Sequence, residues 1–298
     1  MRYIRFPEDH MKLSVSVYSF GRYVQALGIE GVIKKTAEMG FDGIEFVDAV
    51  GDFRVTKENA KELAGLCGAA GLDIAAFCVG ADFLNGSEGD CEKEVEKVKE
   101  KVDVAALLGA PTMRHDVSQG YKDGRKTGLS YAYNLDRLAG CCREVTEYAK
   151  SKGIVTVTEN HGCFSQDADR VISLVEKVGN ENFGMLVDIG NFMCADEKPS
   201  VSVGKAAPYA RHVHIKDFYL RSGELTDPGK GYFRTRGGDR LKGTIAGHGD
   251  VGVKQCLRNL LSAGYDGWLS IEFEGMEDNL AAISIGRSNI LRYLEELK

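Results

Sequence analysis

Short β-branched or apolar runs alternate with longer segments of helical period along the whole chain, and this alternation is what most narrows the fold. Leu13 to Ser19 is followed by a helix through Ile33 to Met39, Gly43 to Asp48 by Lys57 to Ala70, and Ile74 to Val79 by a Glu/Lys-rich helix from about Asp90 to Leu108. Thr112 to Val117 precedes a helix from Asn134 to Lys152. Val155 to Asn160, Phe183 to Asn191 and His212 to Phe218 each lead into a helix or helical turn, and Trp268 to Glu274 and Leu280 to Leu297 close the series. Eight strands each followed by a helix, with no break in composition, favour a single closed (β/α)8 barrel (TIM barrel) over an open doubly wound sheet. One domain is expected over residues 1–298, with an N-terminal extension at 1–11 and a long loop rich in Gly, Arg, Lys and Asp at 219–251, after the seventh strand. In a parallel barrel the loops after strands lie on the catalytic face, so this loop is expected to cover the site and to supply an Arg.

Glycine is the punctuation. With 36 Gly and 5 Pro, helix ends must rely on residues that accept a left-handed backbone. The phrases AEMGFDGIEF (Ala37–Phe46) and LSAGYDGWLSIEF (Leu261–Phe273) repeat one junction, in which Gly40 and Gly264 end helices and Gly43 and Gly267 lead into strands.

The composition limits the partners. The 298 residues are 43% hydrophobic and 28% charged, a globular balance, and 38 basic against 44 acidic side chains give a net charge of −6. That sign offers no footprint for a phosphate backbone, so no nucleic-acid partner is expected. The start of the chain is polar, and no stretch approaches the roughly 18 apolar residues of a membrane span. Eight scattered Cys with no Cys-x-x-Cys pair predict free thiols in a reducing cytoplasm. Barrels of this size often associate through helices or rim loops, so a homo-oligomer is an open expectation, although no patch announces one.

Titratable residues gather at the ends of the last four strands, where a barrel keeps its reactive groups. The fifth ends Thr158-Glu159-Asn160-His161, the sixth Val187-Asp188-Ile189-Gly190-Asn191, the seventh carries His212-Val213-His214-Ile215-Lys216-Asp217, and the eighth ends Ile271-Glu272-Phe273-Glu274. Side chains two apart on a strand share a face, so these groups converge inward. Buried carboxylates need a compensating cation. Carboxylates with one imidazole and no thiolate suit a hard or borderline divalent ion: Mn²⁺ first, with Co²⁺, Mg²⁺ or Zn²⁺ as alternatives. GHGDVG at Gly247–Gly252 lacks the order of a nucleotide-binding fingerprint, so no nucleotide cofactor is expected.

TENHG, VDIGN, HVHIKD, GHGDV and LSIEFEG, in this order at barrel spacing, resemble the sugar phosphate isomerase/epimerase family of xylose-isomerase-like barrels. That family includes ketose 3-epimerases, hydroxypyruvate isomerases and inosose dehydratases, and the resemblance runs from Leu13 to Leu297. It implies one metal ion held by Glu159, Asp188, His214 and Glu272, with Glu159 and Glu272 also acting as the acid/base pair. The expected activity is isomerisation or epimerisation of a small carbohydrate or polyol ketone through an enediolate. Two positions depart from the ketose epimerases. Asn191 stands where they often have His, and can only orient a hydroxyl. Lys216, Arg234 or Arg236 would have to replace their substrate-binding Arg.

Further candidates for substrate contact are His161, His212 and His248, Glu45 and Asp48 after the second strand, and Arg114 and His115 on the fourth. The Glu92–Lys101 run reads as a solvated helix face. Three other functions stay open. A lyase or dehydratase acting on a keto-inositol or keto-glycoside would share the same first proton abstraction. An endonuclease-IV-like phosphodiesterase needs more His ligands than six His supply, together with a basic groove. A non-catalytic sugar-binding subunit would keep the metal site without turnover.

Overall fold

The computed structural model describes residues 11–298. The expected extension at 1–11 therefore lies, apart from Met11, outside the described residues. Eight parallel strands close a barrel: β1 (Leu13–Ser16), β2 (Gly43–Val47), β3 (Asp73–Val79), β4 (Thr112–His115), β5 (Val155–Glu159), β6 (Phe183–Asp188), β7 (Ala210–Ile215) and β8 (Leu269–Ile271). Closure comes from β8 pairing with β1 in the register Ser14 to Ser270. The outer ring is α1 (Arg22–Glu38), α2 (Ala60–Ala69), α3 (Cys91–Leu108), α4 (Tyr131–Ser151), α5 (Ala168–Val178), α6 (Pro199–Ala206), α7 (Val253–Ser262) and α8 (Asn279–Leu297).

Local signals set the boundaries. Asp90 caps α3 by accepting the Lys93 N–H, and Ser130 caps α4 by accepting the Tyr133 N–H. That second cap starts α4 three residues before the expected Asn134. Gly40 and Gly264, at φ 77° and 83°, follow α1 and α7 as the repeated junction requires. The main core lies between strands and helices, with Leu13, Ile44, Phe77, Met113, Met185 and Val213 all buried in it. The other strand face fills the barrel, where Cys78, Val157 and Leu186 form a small apolar plug. Among the described residues no helix is long and apolar enough to cross a membrane.

Two expectations are corrected. The stretch 219–251 is not simply irregular: Asp217–Arg221, Phe233–Arg234 and Arg240–Thr244 form a three-stranded antiparallel sheet. Buried Phe218 and Leu241 join its middle to the main core, an apolar anchor that the polar composition of the stretch conceals. Nor are all the cysteines free, because Cys91 at the start of α3 is bonded to Cys141 on α4. The two helices are neighbours in the outer ring, which brings together residues 50 apart in sequence. The other six thiols are free, four of them buried and Cys163 exposed.

Candidate metal centre

Alternation along β5 puts Val157 and Glu159 on the barrel-facing side, and the same parity puts Leu186 with Asp188 on β6 and His212 with His214 on β7. Glu272, directly after β8, completes the ring. Glu159, Asp188, His214 and Glu272 are all buried, and each offers an atom that lies within 4.8 Å of the others. His214 Nδ1 faces the three carboxylates, at 3.6 Å from Glu159 Oε1, 3.9 Å from Asp188 Oδ2 and 3.6 Å from Glu272 Oε2. These separations are too long for hydrogen bonds.

Asp188 is held by one oxygen and turns the other toward the common point, whereas Glu159 is engaged through both of its oxygens. Asp188 Oδ1 accepts the N–H groups of Gly190 and Asn191, at 2.8 and 2.9 Å, while its Oδ2 has no hydrogen-bond partner. Glu159 Oε1 accepts from Asn191 Nδ2 at 3.0 Å. Arg114 Nη2 stands 2.7 Å from Glu159 Oε2, an ion pair whose N–H does not point along the contact, so that oxygen makes no formal hydrogen bond. Asn160 links the two strand ends: its amide donates to the Asp188 carbonyl and accepts the Asp188 N–H.

Two cations share this space. Lys216 Nζ is 2.5 Å from Glu272 Oε2, 3.3 Å from Asp188 Oδ2 and 3.5 Å from Glu274 Oε2. Burial opposes the charge on Lys216, but Asp188, Glu272 and Glu274 hold the ammonium firmly protonated. Burial also opposes ionisation of Glu159 and Glu272; Arg114 for the first and Lys216 for the second, each helped by His214, keep both well below the usual carboxylate range. Asp188 differs. Burial, reinforced by the charges of Glu159 and Glu272, pushes its carboxyl up to about 6 despite Lys216. Three carboxylates face Arg114 and Lys216, and Asp188 Oδ2, which makes no hydrogen bond beyond its ion pair with Lys216, and His214 Nδ1 aim at one point, so the residues fit a hard or borderline divalent cation.

Other candidates sit differently from the expectation. Glu45 is fully buried inside the barrel, not on the rim, where it accepts from His212 Nε2 at 2.8 Å and from His214 Nε2 at 2.9 Å. His115 follows Arg114 on β4 and so points the opposite way, out of the barrel, where it packs against Phe83 and Phe183 and cannot meet substrate. Asp48 pairs with Lys101. Arg236 is tied to Asp167 at 2.6 Å and to the Cys163 carbonyl, leaving the Arg expected from the loop engaged elsewhere. Arg234 lies on an exposed edge strand. His248 is an exposed side chain on a turn. Asn191 orients Glu159, and its Oδ1 accepts from Lys216 Nζ at 3.4 Å.

His161 remains at the rim with a part-exposed ring, its Nδ1 3.1 Å from Asp116 Oδ1. Asp116 is a residue the strand-end reading missed, although it directly follows Arg114-His115 in sequence. Asp217, named at the end of the seventh strand, turns instead to the backbone: its carboxylate accepts the N–H groups of Gly247, Gly249 and Val251 and thereby joins the HVHIKD and GHGDV segments. Beside the cluster a cleft of about 640 Å³ opens, lined among others by Tyr18, Arg22, Phe53, Phe273 and Glu274.

Comparison with known proteins agrees with this fold. The chain is 26% identical over 241 residues to the rhizopine catabolism protein MocC of Rhizobium meliloti, covering 74% of this chain and 71% of that protein. It is 25% identical over 143 residues to an inosose dehydratase of Bacillus cereus, a match that spans about half of either chain (47% of each). Among solved structures, L-ribulose 3-epimerase superposes with a TM-score of 0.73 at 17% identity, covering 97% of this chain and 96% of that one. A xylose isomerase-like barrel from Mycobacterium smegmatis in complex with magnesium gives 0.71 at 20% identity, covering 97% and 98%. These two likenesses concern the fold. The family model described as xylose isomerase-like TIM barrel matches residues 33–293, nearly the whole length, and the chain belongs to that family.

Proposed function

We propose that this chain is a divalent-metal-dependent isomerase or epimerase of a small carbohydrate or polyol ketone, with one ion, Mn²⁺ first, held by Glu159, Asp188, His214 and Glu272. The observation that carries the reading is the convergence of these four buried side chains from successive strand ends, with His214 Nδ1 making no hydrogen bond and Asp188 Oδ2 making none beyond its ion pair with Lys216. When bound, such an ion supplies Lewis acidity that polarises a substrate carbonyl. The chain's own part is to move a proton. Glu159 and Glu272 are both held ionised at rest; one removes the proton next to the carbonyl and becomes a carboxylic acid, the other gives the enediolate a proton that it first takes from solvent, and release of the first proton to solvent restores the pair. Lys216 and Asn191 orient substrate hydroxyls, and burial keeps bulk water from quenching the intermediate.

A second reading, dehydration of a keto-polyol, draws support from the inosose dehydratase similarity and from His161. Asp116 fixes that imidazole at the rim, near enough to the cluster for a leaving hydroxyl to take its proton there.

The test is a solvent-deuterium screen of ketoses and keto-polyols on protein purified without a chelating tag. Deuterium incorporated into an isomeric product supports the first reading, and loss of water supports the second. Glu159→Gln and Glu272→Gln are expected to reduce exchange by at least about 10²-fold, the usual contribution of a general base. Exchange at the wild-type rate in both variants would refute the acid/base assignment. Elemental analysis beside Asp188→Ala is expected to show about one ion per chain, lost in the variant.

A further inference from the structure

An imidazole can offer either ring nitrogen to a cation, and the hydrogen bond made by the other nitrogen decides which. In His214 the ring is oriented with Nδ1 toward Glu159, Asp188 and Glu272, and with Nε2 toward Glu45, at 3.0 Å from Oε1 and 2.9 Å from Oε2. Glu45 cannot turn away. Its side chain is wholly buried, and His212 Nε2 contacts Oε2 from the same strand as His214, at 2.8 Å. The pairing of β2 with β3 shifts register between Ile44 and Glu45, a bulge that leaves Ala75 unpaired and re-aims side chains there. At Gly43, two residues before, a side chain would strike the Asp73 carbonyl and the Trp268 ring at 2.7 Å, so the strand start has little room to shift.

We infer that Glu45 is a positioning residue for the metal centre: clamped by His212, it holds His214 through Nε2 so that Nδ1 is presented to the cation. The inference rests on the metal reading proposed above. Glu45 touches neither the cation nor substrate, and His212, expected from sequence to contact substrate, serves instead to immobilise Glu45. Gln at position 45 keeps the shape but offers one carbonyl oxygen to two imidazole N–H groups and turns its own NH₂ against the other, so the clamp on His214 loosens.

The experiment is calorimetric titration of the full chain with Mn²⁺ alone. Wild type is expected to bind one ion. Glu45→Gln is expected to bind one ion with affinity lowered about 10- to 100-fold, the usual effect of removing such an outer carboxylate, and to fill at higher Mn²⁺. Glu45→Asp, which keeps the charge but is one methylene short of the imidazoles, gives a second reading in the same direction should the Gln variant fail to fold. Glu94→Gln alters another buried carboxylate, on α3 and away from the cluster, and is expected to leave Mn²⁺ affinity unchanged, which separates positioning from general loosening of the fold. Wild-type affinity in folded Glu45→Gln and Glu45→Asp overturns the inference and leaves the metal reading standing. Two ions in wild type and one in Glu45→Gln also overturn it, making Glu45 a ligand of a second site with Cys78 and His214, which lie close enough to share one. No Mn²⁺ bound by wild type refutes the metal reading itself.

Discussion

Burial and the neighbouring Glu159 and Glu272 charges push the Asp188 carboxyl from 3.8 to about 6. Because the folded-state value lies above the unfolded one, folding favours the protonated acid. Its stabilisation is complete below about pH 4 and is lost as pH rises through about 6, so at neutral pH the metal-free protein carries a cost of up to about 3 kcal/mol at this residue. Asp188→Asn is therefore expected to raise the melting temperature of metal-free protein at pH 8, with the gain shrinking toward pH 4, while abolishing metal binding. Equal melting temperatures at pH 8 would show that Lys216 already balances the charge. At this scale the sequence is legible where strand parity and position coincide: Glu159, Asp188, His214 and Glu272 each end a strand or nearly so. It misleads at His115, one residue from Arg114 and on the opposite strand face, and at Glu45, whose depth in the barrel depends on the tilt of neighbouring strands.

Among the elements, the segment after β7 depends on one carboxylate. Asp217 takes the N–H groups of Gly247 and Gly249 on Oδ2 and that of Val251 on Oδ1. Asn there turns an NH₂ toward backbone donors. Asp217→Asn is expected to destabilise the protein by about 2–4 kcal/mol in urea unfolding, with hydrogen exchange accelerated first at 247–251. Exchange unchanged there would mean that the buried contacts of Phe218 and Leu241 suffice to seat the sheet. The helices were legible because their caps and periods are local, as at Asp90 before α3. The antiparallel sheet and the Cys91–Cys141 bond were not, since each joins segments whose only relation is proximity in the folded chain.

For the whole molecule, an ion bound only by the folded barrel stabilises it by mass action. At a free concentration 100-fold above the dissociation constant the gain is about 2.7 kcal/mol, a rise of roughly 4 °C for a chain of 298 residues. Mn²⁺ is expected to produce that shift in a thermal melt of wild type and to produce none in Asp188→Ala. A matching rise in the variant would place the stabilising ion elsewhere. The sequence by itself determined the eightfold alternation of strand and helix, the glycines that end helices, and the titratable residues at the last four strand ends, because hydrophobic period and local backbone preference are written residue by residue. Only the tertiary structure decided that Glu45 reaches under His214 from the opposite side of the barrel, that Lys216 settles among three carboxylates, and that Arg236 turns away to Asp167. Those contacts depend on barrel closure, which sets distances between residues as far apart as 45 and 214 that no local pattern encodes.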